Sequence, residues 1–273
     1  MFTKKQLASA LVPAVYFVSP VSVQAAGSNI DDLMMLEEVV VTAQRREENL
    51  QDVPVAVSAM SEGMIERKDV HNIDGIANSV PGLSFAPFAP GQNIISLRGA
   101  SSNDDGAGTD NSVAVFVDDI YLGRVSNINP EMFDLERIEV LRGPQGTLYG
   151  KNTIGGAINV VSKKPNLDEV EGKLQVGAGN YSSNKFAAYV TGPLSDKLAA
   201  KAAVSYRKRD GWAENILTGE QLKDDDRYGL RGQLLYASDN FEALFSADYN
   251  KVDVGDMGRI PVDTGYDDGV NVD

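Results

Sequence analysis

The sequence has no cysteine and only one histidine, His71. The absence of cysteine excludes disulfides, thiol nucleophiles and Cys-ligated zinc, and a single histidine excludes a His-rich metal site. Basic residues are also few: 25 Lys and Arg stand against 39 Asp and Glu, which gives a formal net charge of -14. A nucleic-acid partner is therefore not expected, because phosphate binding needs clustered Lys and Arg. We expect no enzyme activity, no cofactor and no metal site.

Long apolar runs are rare as well, and the run near the N-terminus has the features of an export signal. Lys4 and Lys5 precede an apolar run from Leu7 to Val18, and Val23-Gln24-Ala25 supplies the small residues that signal peptidase accepts. The alternative is a membrane anchor, but about 12 residues is short of the roughly 20 that a spanning helix needs. We predict a signal peptide over residues 1–25 and export of the rest of the chain.

From residue 170 onward, apolar residues alternate with polar or small ones. In the clearest run, one parity holds Leu198, Ala200, Ala202, Val204 and Tyr206, and the other holds Lys197, Ala199, Lys201, Ser205 and Arg207. A period of two over about nine residues predicts a strand with one apolar face. Five such runs follow one another up to residue 252, which predicts antiparallel hairpins.

The connections between these runs alternate in length. Gly192–Ser195 and Ser238–Asn240 read as tight turns, whereas Asp210–Asp226 is a long polar loop. Short turns on one side, long loops on the other and aromatic residues near the strand ends are typical of a transmembrane β-barrel. The alternative is a soluble antiparallel sheet with one buried face. Five strands cannot close a barrel, which needs at least 8 in bacterial single-chain proteins, so residues 170–273 are predicted to form the start of an incomplete one.

A short segment near the start of the exported chain has the composition of an isolated strand. It reads Glu37, Glu38, Val39, Val40, Val41, Thr42 and Ala43, an acidic pair followed by a β-branched run in a polar tail. Such a segment has nothing local to pair with and is suited to adding a strand to the sheet edge of another protein. The alternative is an ordinary strand packed on the following domain. We predict that residues 26–52 are flexible and that residues 37–43 bind a partner.

A second motif spans residues 137–161. It reads RIEVLRGPQGTLYG from Arg137 and continues as GGAINVV from Gly155. Its first residues predict a strand, Gly143-Pro144 a turn, and Gly155-Gly156 a close approach of two backbones. Residues 146–151 are similar to a phosphate-binding loop, but the spacing is one residue short, and Asn152 stands where Ser or Thr is required. We therefore exclude nucleotide binding.

Together these motifs resemble the TonB-dependent outer-membrane receptors, from the signal peptide to the first barrel strands. Residues 37–43 resemble the TonB box of that family, and residues 137–161 resemble the most recognisable stretch of its plug domain. The resemblance implies an α+β plug domain over residues 53–165, followed by the first antiparallel strands of an incomplete transmembrane β-barrel. It also implies a location in the cell outer membrane, with the plug and the box accessible from the periplasm.

The resemblance further implies energised uptake of a scarce solute, such as an iron chelate, cobalamin or a carbohydrate. The implied partners are a TonB-type energy-transducing protein, an extracellular small-molecule ligand and, in the complete barrel, outer-membrane lipid. Ligand contacts are expected in the apex loops of the plug, at Phe85, Phe88, Gln92, Asp104, Asp105 and Asp110. The alternative for these six residues is that they belong to polar loops without a ligand. His71 is expected at the surface or a helix end, with no chemical role.

Two other interpretations of the whole chain stay open at this point. One is a short, soluble periplasmic module of the plug type that binds a ligand or partner, and the other is a truncated receptor without function. The alternation beyond residue 170 separates the soluble module from a membrane receptor, because a soluble module does not need lipid-facing residues. The substrate is not specified by any of these patterns.

Overall fold

The computed structural model describes residues 40–42, 45–46, 48–89, 91–102, 110–124, 128–129, 131–215 and 218–255. The predicted signal peptide lies outside these ranges. So do Glu37, Glu38, Val39, Ala43, Asp104 and Asp105 among the predicted site residues. In the described part of the chain, no helix is long and apolar enough to cross a membrane.

The first half of the described chain mixes short strands with short helices. In chain order it forms β1 (Val40–Val41), β2 (Glu48–Asn49), β3 (Val57–Ser61), α1 (Glu62–Arg67), a 3-10 helix (Ile73–Ser79), β4 (Leu83–Ala89), β5 (Gln92–Leu97), β6 (Ala100–Ser101), β7 (Val113–Val117), β8 (Ile120–Tyr121), β9 (Leu135–Arg142), α2 (Gly146–Tyr149) and β10 (Gly156–Ser162). The second half forms β11 (Glu171–Gly179), β12 (Ser183–Ser195), β13 (Leu198–Arg209), β14 (Ala213–Glu214), β15 (Gln221–Leu222), β16 (Asp225–Ser238) and β17 (Phe241–Val254).

A five-stranded mixed sheet in the order β3-β9-β10-β7-β8 is the centre of the first half, and β10 and β7 are its parallel pair. Its central strands carry apolar residues on both faces because both faces are covered. On one face, Ile138, Ile158 and their neighbours pack against α1 and the 3-10 helix. On the other face, Phe116 and Leu141 pack against Val41, Leu50 and Val53. These three belong to the described residues before β3, called the N-terminal segment below. The strand predicted from RIEVL is confirmed as β9.

The predicted close approach at Gly155-Gly156 is confirmed. Gly156 has a φ of +146°, and a Cβ on this residue would lie 2.1 Å from the carbonyl oxygen of Leu141 and 2.7 Å from Leu97 Cδ2. Only glycine fits a backbone position with this φ and this spacing. Gly156 therefore lets β10 begin directly against β9.

The second half forms an antiparallel sheet in the order β11-β12-β13-β16-β17, called the wall below. Its five long strands confirm the five predicted runs, and the sheet is not closed. The predicted tight turn at Gly192–Ser195 is wrong. Strand β12 continues to Ser195, and the chain turns at residues 196–197. A bulge between Pro193 and Ser195 explains the difference, because a bulge accepts a proline that lacks the ladder donor.

The two faces of the wall differ in polarity, as the alternation predicts. Leu174, Val176 and Phe245 are 66%, 71% and 70% exposed on the outer face. The inner face presents basic side chains to acidic side chains of the first half. Lys201 Nζ lies 2.5 Å from Asp134 Oδ2, and both side chains are almost fully buried. Arg207 Nη2 lies 2.9 Å from Glu131 Oε2.

Replacement of Gly156 by alanine should destabilise the mixed sheet. The new Cβ overlaps the Leu141 carbonyl oxygen, so we expect the free energy of unfolding to fall by about 3 kcal/mol. Gly99→Ala is the control, because Gly99 also has a positive φ (+80°) but has no atom within 4 Å of the added Cβ. Backbone strain alone predicts a loss of about 1 kcal/mol there. Equal losses in urea titrations of the two variants would contradict the steric explanation.

Burial of Glu131 should make the free energy of unfolding depend on pH. Burial raises the pKa of Glu131 to about 7, although Arg207 and Arg227 act in the opposite direction. Because this folded-state pKa exceeds the ordinary value of 4.5, the folded chain holds the proton of Glu131 more tightly than the unfolded chain does. The contribution of this protonated carboxyl to the free energy of unfolding is complete below about pH 4.5 and is lost as the pH rises through about 7. Urea midpoints of the Glu131→Gln variant should therefore change less over this range than those of the parent chain. The exposed Glu169→Gln is the control, and an unchanged pH profile for Glu131→Gln would refute the assignment.

Candidate functional site

The predicted partner-binding segment is paired and packed where the structure describes it. Val40 and Val41 pair antiparallel with Asn49 and Glu48. The chain reverses at Arg45, whose φ is +58° and whose backbone N–H donates to the Thr42 carbonyl at 2.8 Å. The expectation that this segment has nothing local to pair with is therefore wrong for these two valines. Where the structure describes them, these two residues form a short strand that packs on the following domain.

Val41 anchors the segment by burial. Its side chain is fully buried in a cluster with Phe116, Leu141 and Tyr149. Leu50 and Val53 pack against the same cluster, so the N-terminal segment contacts this face of the mixed sheet at three residues. Full burial of a valine contributes roughly 1.5–3 kcal/mol relative to exposure, so this packing is a substantial part of what holds the segment.

Thr42 adds a polar anchor, called the Thr42 network below. Its backbone N–H and its hydroxyl donate to Glu139 Oε1 at 2.8 and 3.1 Å. Arg137 Nε donates to the same oxygen at 2.8 Å, and Arg137 Nη2 donates to Thr42 Oγ1 at 3.2 Å. The period of two along β9 places Glu139 on this face, whereas Ile138 and Val140 belong to the cluster on the opposite face. A fully buried carboxylate thus receives three hydrogen bonds from two neighbours.

Arg45 forms a second polar contact, between the N-terminal segment and the domain built on the mixed sheet, called the sheet domain below. Its Nε donates to the Leu148 carbonyl at 3.1 Å, and its guanidinium lies 5.3 Å from the centre of the Tyr149 ring. Tyr149 also packs on Phe116, with ring centres 5.2 Å apart. Burial and the nearby Glu139 carboxylate raise the pKa of Tyr149 to about 12, so its hydroxyl stays neutral at ordinary pH.

The predicted ligand-contacting residues are divided between two places. Phe85, Phe88 and Gln92 lie together on the hairpin formed by β4 and β5, and all three are half-buried. Phe85 packs against the main hydrophobic core, so only part of its ring faces outward. Asp110 is exposed on the segment before β7, and its Oδ2 accepts a hydrogen bond from Lys151 Nζ at 3.2 Å.

His71 lies at a helix end, as expected, directly before Asn72, the N-cap of the 3-10 helix, but it is not at the surface. Its side chain is 13% exposed, and its Nε2 lies 2.7 Å from Asp69 Oδ1 and 3.1 Å from Lys185 Nζ on the wall. Burial lowers the pKa of His71, and Lys185 and Arg207 lower it further, whereas Asp69 raises it. A lone histidine in a polar stretch carries no sequence signal for such a contact, which depends on how the wall and the sheet domain meet.

Comparison with known proteins identifies the sheet domain. Residues 49–157 match the family model described as TonB-dependent Receptor Plug Domain. This part of the chain is a TonB-dependent receptor plug domain. The vitamin B12 transporter BtuB of Vibrio vulnificus is 29% identical over 209 residues, covering 74% of this chain and 32% of that protein. The iron-regulated outer membrane virulence protein of Vibrio cholerae is 31% identical over 193 residues, covering 64% of this chain and 28% of that protein.

Solved structures show the same arrangement of plug and strands. The ferric yersiniabactin uptake receptor FyuA from Yersinia pestis aligns with a TM-score of 0.68 and 28% identity, over 74% of this chain and 32% of that chain. The pyoverdine outer membrane receptor FpvA from Pseudomonas aeruginosa aligns with a TM-score of 0.66 and 21% identity. The alignment covers 78% of this chain and 30% of that chain. The chain thus spans about a third of the length of these relatives. Their names describe a transporter, two receptors and an outer-membrane virulence protein, in agreement with the fold and location expected from the sequence.

Loss of the Thr42 network should loosen the N-terminal segment. Thr42→Val removes the hydroxyl, and Glu139→Gln removes the charge that Arg137 and Thr42 contact. Hydrogen bonds to charged groups contribute about 1.5–3 kcal/mol, so tryptic cleavage at the exposed Arg45 and Arg46 should accelerate roughly tenfold or more in either variant. Thr42→Ser keeps the hydroxyl and is the matched control. Cleavage at the parent rate in both test variants would show that Val41 packing alone holds the segment.

Proposed function

We propose that this chain is the N-terminal part of a TonB-dependent outer-membrane receptor for energised uptake of a scarce solute. Residues 37–43 serve as its TonB box, to which a TonB-type energy-transducing protein binds from the periplasmic side. The observation that carries the proposal is the pairing of Val40 and Val41 in β1, a short strand with one partner among the described strands, on a plug domain that contacts the inner face of the wall. A strand with an unpaired edge can accept an added strand from a partner protein.

The outer face of the wall supports a membrane receptor over a soluble plug-type module. Large apolar residues are exposed along it, including Leu174, Val176, Phe186, Leu230 and Phe245. Monomeric soluble proteins seldom expose a contiguous apolar surface of this kind, whereas lipid covers it in a barrel. The domain limits proposed on this basis are residues 1–25 for the signal peptide, 26–52 for the segment with the box, 53–165 for the plug and 170–273 for the first strands of the barrel.

The proposed ligand is a small solute held at the plug apex by Phe85, Phe88, Gln92, Asp104, Asp105 and Asp110. Relatives named for vitamin B12, ferric yersiniabactin and pyoverdine make a cobalamin or an iron chelate the first ligands to test, with a carbohydrate as the third. In this function the plug blocks the lumen at rest, and partner binding at the box opens a path. Binding and displacement suffice, so no covalent step is required.

Charged residues in the box should abolish uptake without affecting ligand binding. Val39→Asp with Val40→Asp opposes strand addition, and Val40 is 44% exposed, so the plug core stays intact. The double Val→Ile variant is the control. Uptake of labelled cobalamin and of ferric siderophores should be lost in cells carrying the Asp variants, while binding to their outer membranes persists.

The uptake measurement should be made on the protein that the cell produces, and an antibody to residues 53–165 determines the size of that protein. A band far above 29.3 kDa in the outer-membrane fraction identifies a complete receptor. Undiminished uptake by the Asp variants of that product would remove the box assignment. A product near 29.3 kDa that stays soluble without detergent would remove the transport function itself.

A further inference from the structure

Three aspartates of the plug share an unusual backbone conformation. Asp69, Asp118 and Asp134 have φ values of +53°, +47° and +66°, in the left-handed region. Each stands in a turn: Asp69 follows α1, Asp118 joins β7 to β8, and Asp134 precedes β9. Glycine and asparagine adopt this conformation at least as readily as aspartate, so the turns themselves do not require a carboxylate.

Each of these carboxylates meets a basic side chain on a different strand of the wall. Asp69 is ion-paired with Lys185 on β12. Asp134 Oδ2 lies 2.5 Å from Lys201 Nζ on β13. Asp118 Oδ2 lies 3.7 Å from Arg231 Nη2 on β16, and Arg231 also reaches Asp134 at 3.4 Å. Strands β12, β13 and β16 are consecutive neighbours in the wall, so the three turns contact three adjacent strands.

The contact points are also separated along the strands. Lys185 lies opposite Arg207 on β13, six residues beyond Lys201 on the same strand. At about 3.4 Å per residue, these positions are roughly 20 Å apart. Three points that do not lie on one line fix the orientation of a rigid body as well as its position.

The same division of charge continues in the neighbouring pairs. Glu66 pairs with Lys173, and Glu131 pairs with Arg207, so the acid again comes from the plug and the base from the wall. In the pair of Lys164 and Glu242 the base lies outside the wall and the acid lies on β17, but both side chains are exposed, and Lys164 belongs to the connection from β10 to the wall. The chain as a whole carries a charge of -14, so a basic inner wall does not follow from composition.

We propose that Asp69, Asp118 and Asp134 form an ionic docking register that fixes the plug on the wall. The left-handed turns direct the carboxylates, and Lys185, Lys201 and Arg231 receive them. Asp118 has a second role within the plug, since it accepts hydrogen bonds from the Ser162 backbone N–H and hydroxyl at 2.8 and 2.9 Å. The register does not depend on the uptake function proposed above.

The absence of cysteine offers a direct measurement of docking in the full chain. Ser205→Cys places a single thiol at a buried position on the inner face of the wall. Its rate of labelling by a maleimide reports how often the plug leaves that face. Separate Asp→Asn replacements at 69, 118 and 134 keep the left-handed turns but remove the charges. We expect each to accelerate labelling, and Asp134→Asn to do so roughly tenfold or more, because it leaves the buried Lys201 ammonium without the carboxylate it pairs with.

Asp119 is the matched control. It is also left-handed (φ +65°), it is the direct neighbour of Asp118, and it is exposed. Asp119→Asn should leave the labelling rate unchanged. If the aspartates matter only for their turns, all four Asn variants will label like the parent, and the proposal is overturned. Acceleration by Asp119→Asn equal to that by Asp134→Asn would overturn it as well, because the effect would then not come from the wall.

A double-mutant cycle covers the case in which a variant unfolds. Asp134→Asn, Lys201→Gln and their combination are compared, with circular dichroism as the check on folding. Direct pairing predicts that the combined variant labels no more than about twice as fast as the faster single variant. Multiplication of the two single effects would refute direct pairing of Asp134 with Lys201. If Asp134→Asn unfolds, the same cycle on Asp69 and Lys185 decides between the two outcomes.

Discussion

The strict alternation of side chains along the wall strands is the constraint on which the rest of this structure depends. On β13 it sends Lys201, Ser205 and Arg207 toward the plug and Leu198 and Tyr206 away from it. A slip of one residue would exchange the two sets, so that buried cations would face outward and apolar residues would meet the plug carboxylates. Because both faces oppose such a slip, the strand register and the position of the plug are determined together.

If the N-terminal segment binds a TonB-type partner as proposed, that role competes with its packing on the plug. Val41 completes the core on one face of the plug sheet, where it covers Phe116, Leu141 and Tyr149. A partner that draws this strand away must offset the loss of that burial and of the hydrogen bonds to Glu139. The packing of β1 on the plug therefore determines how often this strand is free, and so how tightly a partner must bind to draw it away.

Most of what the sequence predicts correctly follows from local rules. The RIEVL strand, the close approach at Gly156 and the five alternating runs depend on periodicity and on glycine geometry. The failures involve distant contacts. The pairing of Val40 and Val41 depends on a reversal at Arg45 and on a core assembled from residues a hundred positions away. The burial of His71 requires the wall to be in place, and the continuation of β12 through Pro193 requires a bulge.

The contact between plug and wall is ionic, which suits a contact that fixes the position of the plug and is still reversible. An apolar contact in this place would gain free energy in proportion to the apolar area it buries and would oppose separation strongly. In an ionic contact, the cost of removing charges from water offsets much of their attraction, so the net gain is modest while the wrong pairings are costly. Lys201, Asp134 and Glu131 are buried here with partners of opposite charge. Such a contact selects one orientation of the plug, and water can satisfy the same charged groups when they are apart.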